Sequence, residues 1–410
     1  MQKILYVGID VHKRRNTACF MDHQGDTVGT IFSFPNSLPG AQHLEQTVSA
    51  TMQEGDFRTL RIGTESTAFL DFHLIDFLAS SMVLETYQPQ IFQFNPKVIR
   101  GFKKSYPDKD KTDPDDAFVI ADYLRFGRLP KPYQGQKPWF PLQRLTRYHY
   151  HLADTIAREK IYFVTHLFLK YSAFSTVKPF SNTLGATSQA LITEFFSVDE
   201  ITHMSVEELA LFVSQHGKNS FPDPEKTVAL IKRVARESYR IRPALAHSVN
   251  LILATTLQNI RALTKGLKEI DTAIAKEFAA FPNTLTSIPG MGPVYSAGIY
   301  AEIGNSNRFH SQAQLAKFAG LTWRKTESGN FVGDITRMTK SGDKYLRYYL
   351  IQAANSLRVH NEQYKAYYQT KYREVTIHRH KRALALTARK LVRLIFALLS
   401  KNQLYQHDLA

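Results

Sequence analysis

Four prolines, Pro130, Pro132, Pro138 and Pro141, fall between residues 129 and 141. Each fixes φ and removes a backbone donor, so neither a helix nor a central strand runs through them. The chain must fold on either side of this break, and the two sides carry different patterns. Upstream, short apolar runs alternate with turns; downstream, apolar residues recur every three or four positions over long stretches. The proline stretch reads as a linker between a strand-bearing part and a helical part.

In the upstream part, residues 4–10 read as a buried strand that ends in Asp10. Residues 17–22 and 28–33 read as two more, joined by the turn at His23-Gln24-Gly25. Residues 59–64 form a fourth, with Glu65 at its tip, and residues 83–87 a fifth, ended by Gln88-Pro89. Helical spacing covers residues 68–80 through Leu70, Phe72, Leu74, Ile75 and Leu78, and again residues 114–126. Three strands followed by alternating helix and strand predict an α/β domain with a mixed sheet over about residues 1–135.

In the downstream part, Leu145, Leu152, Ile156, Phe163 and Leu167 follow a coiled-coil-like beat. Leu253, Leu257, Ile260, Leu267, Ile270, Ile274 and Phe278 repeat it. The simplest arrangement is an antiparallel helical hairpin over residues 136–283, with a smaller helical insert at 172–226. Within that insert, Ser205-Val206-Glu207-Glu208 forms a capping box. Such a seam either dimerises or buries itself within one chain. A third, mainly helical domain spans residues 284–410. Between residues 331 and 400, 14 Lys/Arg stand against 4 Asp/Glu, interleaved with Tyr345, Tyr348, Tyr349, Tyr364, Tyr367, Tyr368 and Tyr372. Cations contact phosphates and aromatic rings stack on bases, so this stretch points to nucleic acid. The plain alternative is a solvated helical face over a tyrosine-rich core.

The whole chain supports a polyanionic partner. It has 52 Lys/Arg against 36 Asp/Glu over 410 residues, a formal net charge of +16. No apolar run reaches the roughly 18–20 residues of a membrane span, and residues 1–8 lack a signal-peptide core. Cys19 is the single cysteine, which excludes an intrachain disulfide and fits a reducing cytoplasm.

Candidate chemistry lies in three places. Asp10, Glu65, Asp113 and Asp116 are the first. Two stand at strand tips and two are three apart on a helix, a set suited to Mg²⁺ (or Mn²⁺) and to phosphodiesters. Asp113 equally suits an N-cap, with Pro114 opening the helix. His12 reads as a surface neighbour rather than a ligand, and Asp108, Asp110, Asp115 and Asp122 as bystanders, with Asp110 the nearest contender for a place in the pair. The second place is Ile288-Pro289-Gly290-Met291-Gly292-Pro293. Its glycines Gly290 and Gly292 open a helix in the manner of a helix-hairpin-helix element and expose N–H groups to a phosphate. The third is Ser328 in Glu327-Ser328-Gly329, flanked by Arg324, Lys325 and Arg337, with Lys340, Lys344 and Arg347 beyond. These cations could neutralise a phosphate attacked by the serine, although taken alone Ser328 is an ordinary turn serine.

Together these motifs resemble one family. Gly8-Ile9-Asp10-Val11-His12-Lys13, Glu65, Lys111-Thr112-Asp113 and Asp116-Ala117 are similar to the DEDD motif of insertion-sequence transposases related to the Piv DNA invertases. Ser287 to Gly292, Ala301-Glu302-Ile303-Gly304, Phe318 to Leu321, Glu327-Ser328-Gly329 and Lys340 to Arg347 resemble that family's second domain. The resemblance implies a RuvC-like (RNase H-like) N-terminal domain, a coiled-coil middle and a helical transposase domain. It implies that Ser328 forms a phosphoserine link to DNA, with metal held by the four acids. It further implies a structured bridge RNA that pairs with donor and target DNA, homodimers assembling to tetramers, and a bacterial cytoplasmic protein that joins the nucleoid on binding DNA. The insert at 172–226 and the extra acid Asp115 depart from the simplest pattern. A metal-dependent, structure-specific nuclease of junction-resolvase type, using water in place of serine, is the competing expectation.

Overall fold

The computed structural model describes residues 3–66, 68–106, 112–194, 197–218, 221–282, 284–323, 327–328, 331–332 and 338–406. The chain divides into two units, Met1–Pro138 and Trp139–Ala410.

The first unit is built on a five-stranded sheet. Its elements are β1 (Ile4–Val11), β2 (Arg15–Met21), β3 (Phe32–Pro35), α1 (Leu38–Glu54), β4 (Thr59–Glu65), α2 (Phe72–Ala79), α3 (Met82–Glu85), β5 (Gln90–Phe94), α4 (Pro96–Lys103) and α5 (Asp113–Phe126). The strand order is β3-β2-β1-β4-β5. β2 runs antiparallel to both β1 and β3, whereas β1, β4 and β5 run parallel. Alternation sorts β1 onto two faces. Leu5, Val7, Ile9 and Val11 pack with Leu44, Val48, Leu74 and Ile75 of α1 and α2. Tyr6 faces the other way, with Phe92, Phe94, Ala117, Val119 and Ala121. Gly8 and Asp10 share that second face by parity, and so do Gly63 and Glu65 on β4.

Two expectations need correction. Residues 83–87 are not a strand. Ser81 caps α3 by accepting the Leu84 N–H at 3.0 Å, and Gln88 at φ +47 turns the chain. The fifth strand follows as Gln90–Phe94. The third strand begins at Phe32 rather than residue 28, because Gly29 sits at φ +72 and breaks the extended run.

The second unit is helical. α6 (Phe140–Lys170) and α12 (Pro243–Phe278) are its long helices. They pack antiparallel. Leu142 meets Ile274 and Phe278 at one end, and Phe163 and Leu167 meet Leu253 and Leu257 at the other. Between them in sequence lie α7 (Phe174–Val177), α8 (Ala186–Glu194), α9 (Val198–His203), α10 (Val206–Gly217) and α11 (Pro224–Glu237). Ser205 and Glu208 form the capping box of α10. The remaining elements are α13 (Pro293–Ile303), α14 (Gln312–Phe318), the ribbon β6 (Glu327–Ser328) and β7 (Phe331–Val332), α15 (Lys344–His360), α16 (Glu362–Arg373) and α17 (Arg379–Lys401). Tyr349, Leu350, Leu391 and Ile395 are at the heart of their core. Among the described residues, no helix is long and apolar enough to cross a membrane.

Candidate metal centre

Two glycines let α5 lie directly on the sheet. Gly8 and Gly63 are register partners on β1 and β4. A Cβ on Gly8 would come within 2.3 Å of the Ala117 carbonyl and the Ala121 nitrogen. A Cβ on Gly63 would come within 2.9 Å of Leu124. With both positions bare, the first turn of α5 reaches the strand tips where Asp10 and Glu65 stand. Thr112 caps this helix, its Oγ1 accepting the Asp115 N–H at 3.4 Å. Asp113 is therefore not the cap; it lies in the first helical turn with Asp115 and Asp116, where carboxylates favour the positive helix end. Gly127 at φ +87 closes the helix.

Asp10 and Asp113 lie together with His12, and Asp116 and Glu65 are near enough to act electrostatically on Asp10. Burial raises the Asp10 carboxyl to about 6; His12 opposes the shift, and Asp116, Asp113 and Glu65 add to it. Asp10 Oδ2 is buried and has no hydrogen-bond partner among the described residues. A buried acceptor that no hydrogen bond reaches costs on the order of 1–3 kcal/mol, and here the one nitrogen beside it is His12 Nε2. A divalent ion relieves that cost, and the oxygen-rich donor set suits a hard cation. Two residues passed over in the sequence join the acids. His12 Nε2 lies 3.1 Å from Asp10 Oδ2 and 3.4 Å from Asp113 Oδ1. Lys103, from α4, pairs with Asp116 Oδ1. His12 had a signal: two residues after Asp10 along the strand direction, it keeps the same face. Lys103 had none, because α4 was not legible as a helix.

The other expected site residues are in the helical unit. Ser328 lies in β6 and is register partner to Phe331. The base of this hairpin is pinned where Trp323 bridges Met338 and the Thr339 N–H donates to the Thr322 carbonyl at 2.8 Å. Arg324, Lys325, Arg337 and Asp110 lie outside the described residues. Gly292 is the exposed N-cap position of α13. Gly290, at φ +77, presents its carbonyl to Ser356 Oγ at 2.7 Å. Lys340 is exposed; Lys344 lies 5.5 Å from the Tyr150 ring centre and 4.9 Å from that of Tyr345. Arg347 donates to the carbonyls of Ala319 and Lys340 at 3.0 and 3.1 Å, so its guanidinium braces a turn. Tyr349 and Tyr364 are buried in the core and present no face for stacking, and Tyr368 is largely buried. The exposed cation-rich surface lies instead between α16 and α17, where Tyr372, Arg373, Arg379 and His380 help to line a cavity of about 560 Å³.

The helical unit holds a second buried acid. Glu302 on α13 receives Arg147 from α6 in a fork, Nε to Oε1 at 2.7 Å and Nη2 to Oε2 at 2.8 Å. Gln143 Nε2 adds a donor at 3.0 Å. Burial raises the Glu302 carboxyl, and Arg147 opposes the shift.

Comparison with known proteins names the class that this sheet and acid cluster belong to. Residues 7–171 match a transposase family model of DEDD, IS110 type, and residues 283–369 match the model of the transposase IS116/IS110/IS902 family. The chain belongs to this insertion-sequence transposase family and is a DNA transposase. It is 24% identical over 98% of its length, and 96% of the relative, to an insertion element IS116 uncharacterized 44.8 kDa protein of Streptomyces clavuligerus. It is 29% identical to the transposase for insertion sequence element IS1111A of Coxiella burnetii, over 42% of this chain and 47% of that one. An insertion element IS900 uncharacterized 42 kDa protein of Mycobacterium paratuberculosis is 23% identical over 73% of this chain and 74% of its own.

Proposed function

We propose that this transposase cuts and rejoins donor and target DNA through a covalent link at Ser328, with Asp10, Glu65, Asp113 and Asp116 holding Mg²⁺ or Mn²⁺ beside the reacting phosphate. The observation that carries the reading is the buried Oδ2 of Asp10, reached by no hydrogen bond among the described residues and set among three further carboxylates. The sheet order, with a helix laid over the β1–β4 pair, supports a RuvC-like, RNase H-like assignment for the first unit. A divalent ion held there would neutralise phosphate charge and stabilise the leaving oxygen.

The residues divide the remaining work. Ser328 Oγ forms a bond to phosphorus as the bond from phosphorus to a deoxyribose oxygen breaks. The serine proton passes to solvent and the leaving oxygen takes one up. Lys340 and Lys344 supply positive charge along the DNA backbone. A structured bridge RNA that pairs with donor and target would set sequence choice, leaving the protein to read backbone and shape. Self-association into dimers and then tetramers draws support from an uncovered stripe on α6, where Ile161, Val164 and Phe168 are 69%, 47% and 57% exposed. Such a protein works in the bacterial cytoplasm, on the nucleoid when bound to DNA.

The test is Ser328→Ala with purified protein, RNA and element-end DNA. Covalent protein–DNA adducts should vanish while RNA and DNA binding persist. Cleavage that continues with free phosphate ends would instead identify a water-using, resolvase-like nuclease.

A further inference from the structure

We propose that His12 is itself a metal ligand, which makes the centre a mixed nitrogen–oxygen site that prefers a first-row transition ion such as Mn²⁺ to Mg²⁺. The inference rests on the metal-centre reading above and adds a donor that the four-acid set does not contain.

One oxygen each from Asp10 and Asp113 and one ring nitrogen of His12 all lie within 4.8 Å of one another. Ligands at about 2.1–2.2 Å from one octahedral ion stand about 3.0 Å apart when adjacent and about 4.2 Å apart when opposite. The separations of 3.1 Å from His12 Nε2 to Asp10 Oδ2 and 3.4 Å to Asp113 Oδ1 are those of adjacent vertices. The Asp10 oxygen concerned is the buried one without a hydrogen-bond donor. The His12 backbone is tied down: its N–H donates to Asn16 Oδ1 at 3.3 Å and its carbonyl accepts from Asn36 Nδ2 at 3.0 Å. The backbone is thus held at the β1–β2 turn, and from there Nε2 of the half-exposed ring reaches both carboxylates.

Ligand type then decides the ion. Carboxylates alone serve Mg²⁺ and Mn²⁺ alike, whereas an imidazole nitrogen binds transition ions and adds little for Mg²⁺. Loss of the imidazole should weaken Mn²⁺ far more than Mg²⁺.

The test uses the full-length protein and Mn²⁺ alone, with no DNA. Electron spin-echo modulation of bound Mn²⁺ should show ¹⁴N coupling in the wild type, and His12→Gln should abolish it. Calorimetry should show Mn²⁺ Kd rising about tenfold in His12→Gln, with Mg²⁺ Kd moving about twofold or less. Bound Mn²⁺ without ¹⁴N coupling in the wild type, or equal coupling in His12→Gln, overturns the proposal and leaves His12 as an ion-pair partner of the acids. Asp10→Asn separates the two readings. If it binds Mn²⁺ as the wild type does, the metal centre itself is misplaced; if it loses Mn²⁺ while His12→Gln retains the wild-type spectrum, only the histidine ligand fails.

Discussion

Glu302 is a buried carboxylate and Asp10 a half-buried one with one buried oxygen, and their surroundings are opposites. Glu302, 3% exposed, has its oxygens taken by a forked arginine and an amide. Asp10, with a side chain 14% exposed, has one buried oxygen facing a histidine and other acids, and no hydrogen-bond donor to it among the described residues. The first arrangement is complete and holds helices together. The second is a concentration of negative charge that Lys103 and His12 only partly offset. Burial alone therefore identifies neither a structural nor a functional acid; what fills its remaining valence does.

Breaking each acid should separate these roles. Glu302→Ala strands Arg147 without its partner and should cost about 3–5 kcal/mol, a Tm fall of roughly 10 °C. Glu302→Gln keeps the shape and should cost roughly half as much. A Tm within the error of wild type for both would remove the structural role. Asp10→Asn should do the reverse. It relieves a carboxylate that burial and neighbours disfavour, so the metal-free protein should gain about 1–2 kcal/mol. Covalent DNA product should nevertheless fall about a thousandfold or more. A destabilised Asp10→Asn protein would place Asp10 in the same class as Glu302.

Acidity sharpens the contrast further. Asp10 titrates near 3.8 when unfolded and about 6 when folded without metal. Between those values the folded chain holds a proton that the unfolded chain has released, so metal-free stability should fall as pH rises from about 4 to about 6 and then level off. Asp10→Asn should flatten that slope in melts run across the window; an unchanged slope would point to another group. Metal binding needs the ionised form, so Mn²⁺ affinity should drop about tenfold per unit below pH 6. The smallest effect concerns Lys103, whose ammonium competes for Asp116. Lys103→Met should tighten Mn²⁺ about threefold while shifting stability by less than about 1 kcal/mol.

The acid centre was more legible in the sequence than the frame around it, and the reason is local. Asp10 and Glu65 close apolar runs, and a run of strand residues announces its own end. Asp113 and Asp116 carry the three-residue spacing of one helix face. The fifth strand was misplaced because residues 83–87 are as apolar as a strand, while the true strand, Gln90–Phe94, hides behind Pro89. Whether a run is helical there depends on Ser81 capping it, which composition does not reveal. The tyrosines of α15 and α16 showed the same limit: Tyr349 and Tyr364 have the chemistry of a stacking surface but lie inside the core. Glu302 drew notice only as part of a motif; its partner Arg147 lies 155 positions away, beyond the reach of any local pattern.

The facing pair Gly8 and Gly63 has a consequence for tuning the centre. The two halves of the acid set ride on separate supports, one on strand tips and one on a helix, and the gap between the supports is set by two missing methyl groups. Adding one back at residue 8 would act as a shim. It would leave every carboxylate chemically intact while forcing the α5 backbone away from β1, so that the spacing between the supports becomes the variable.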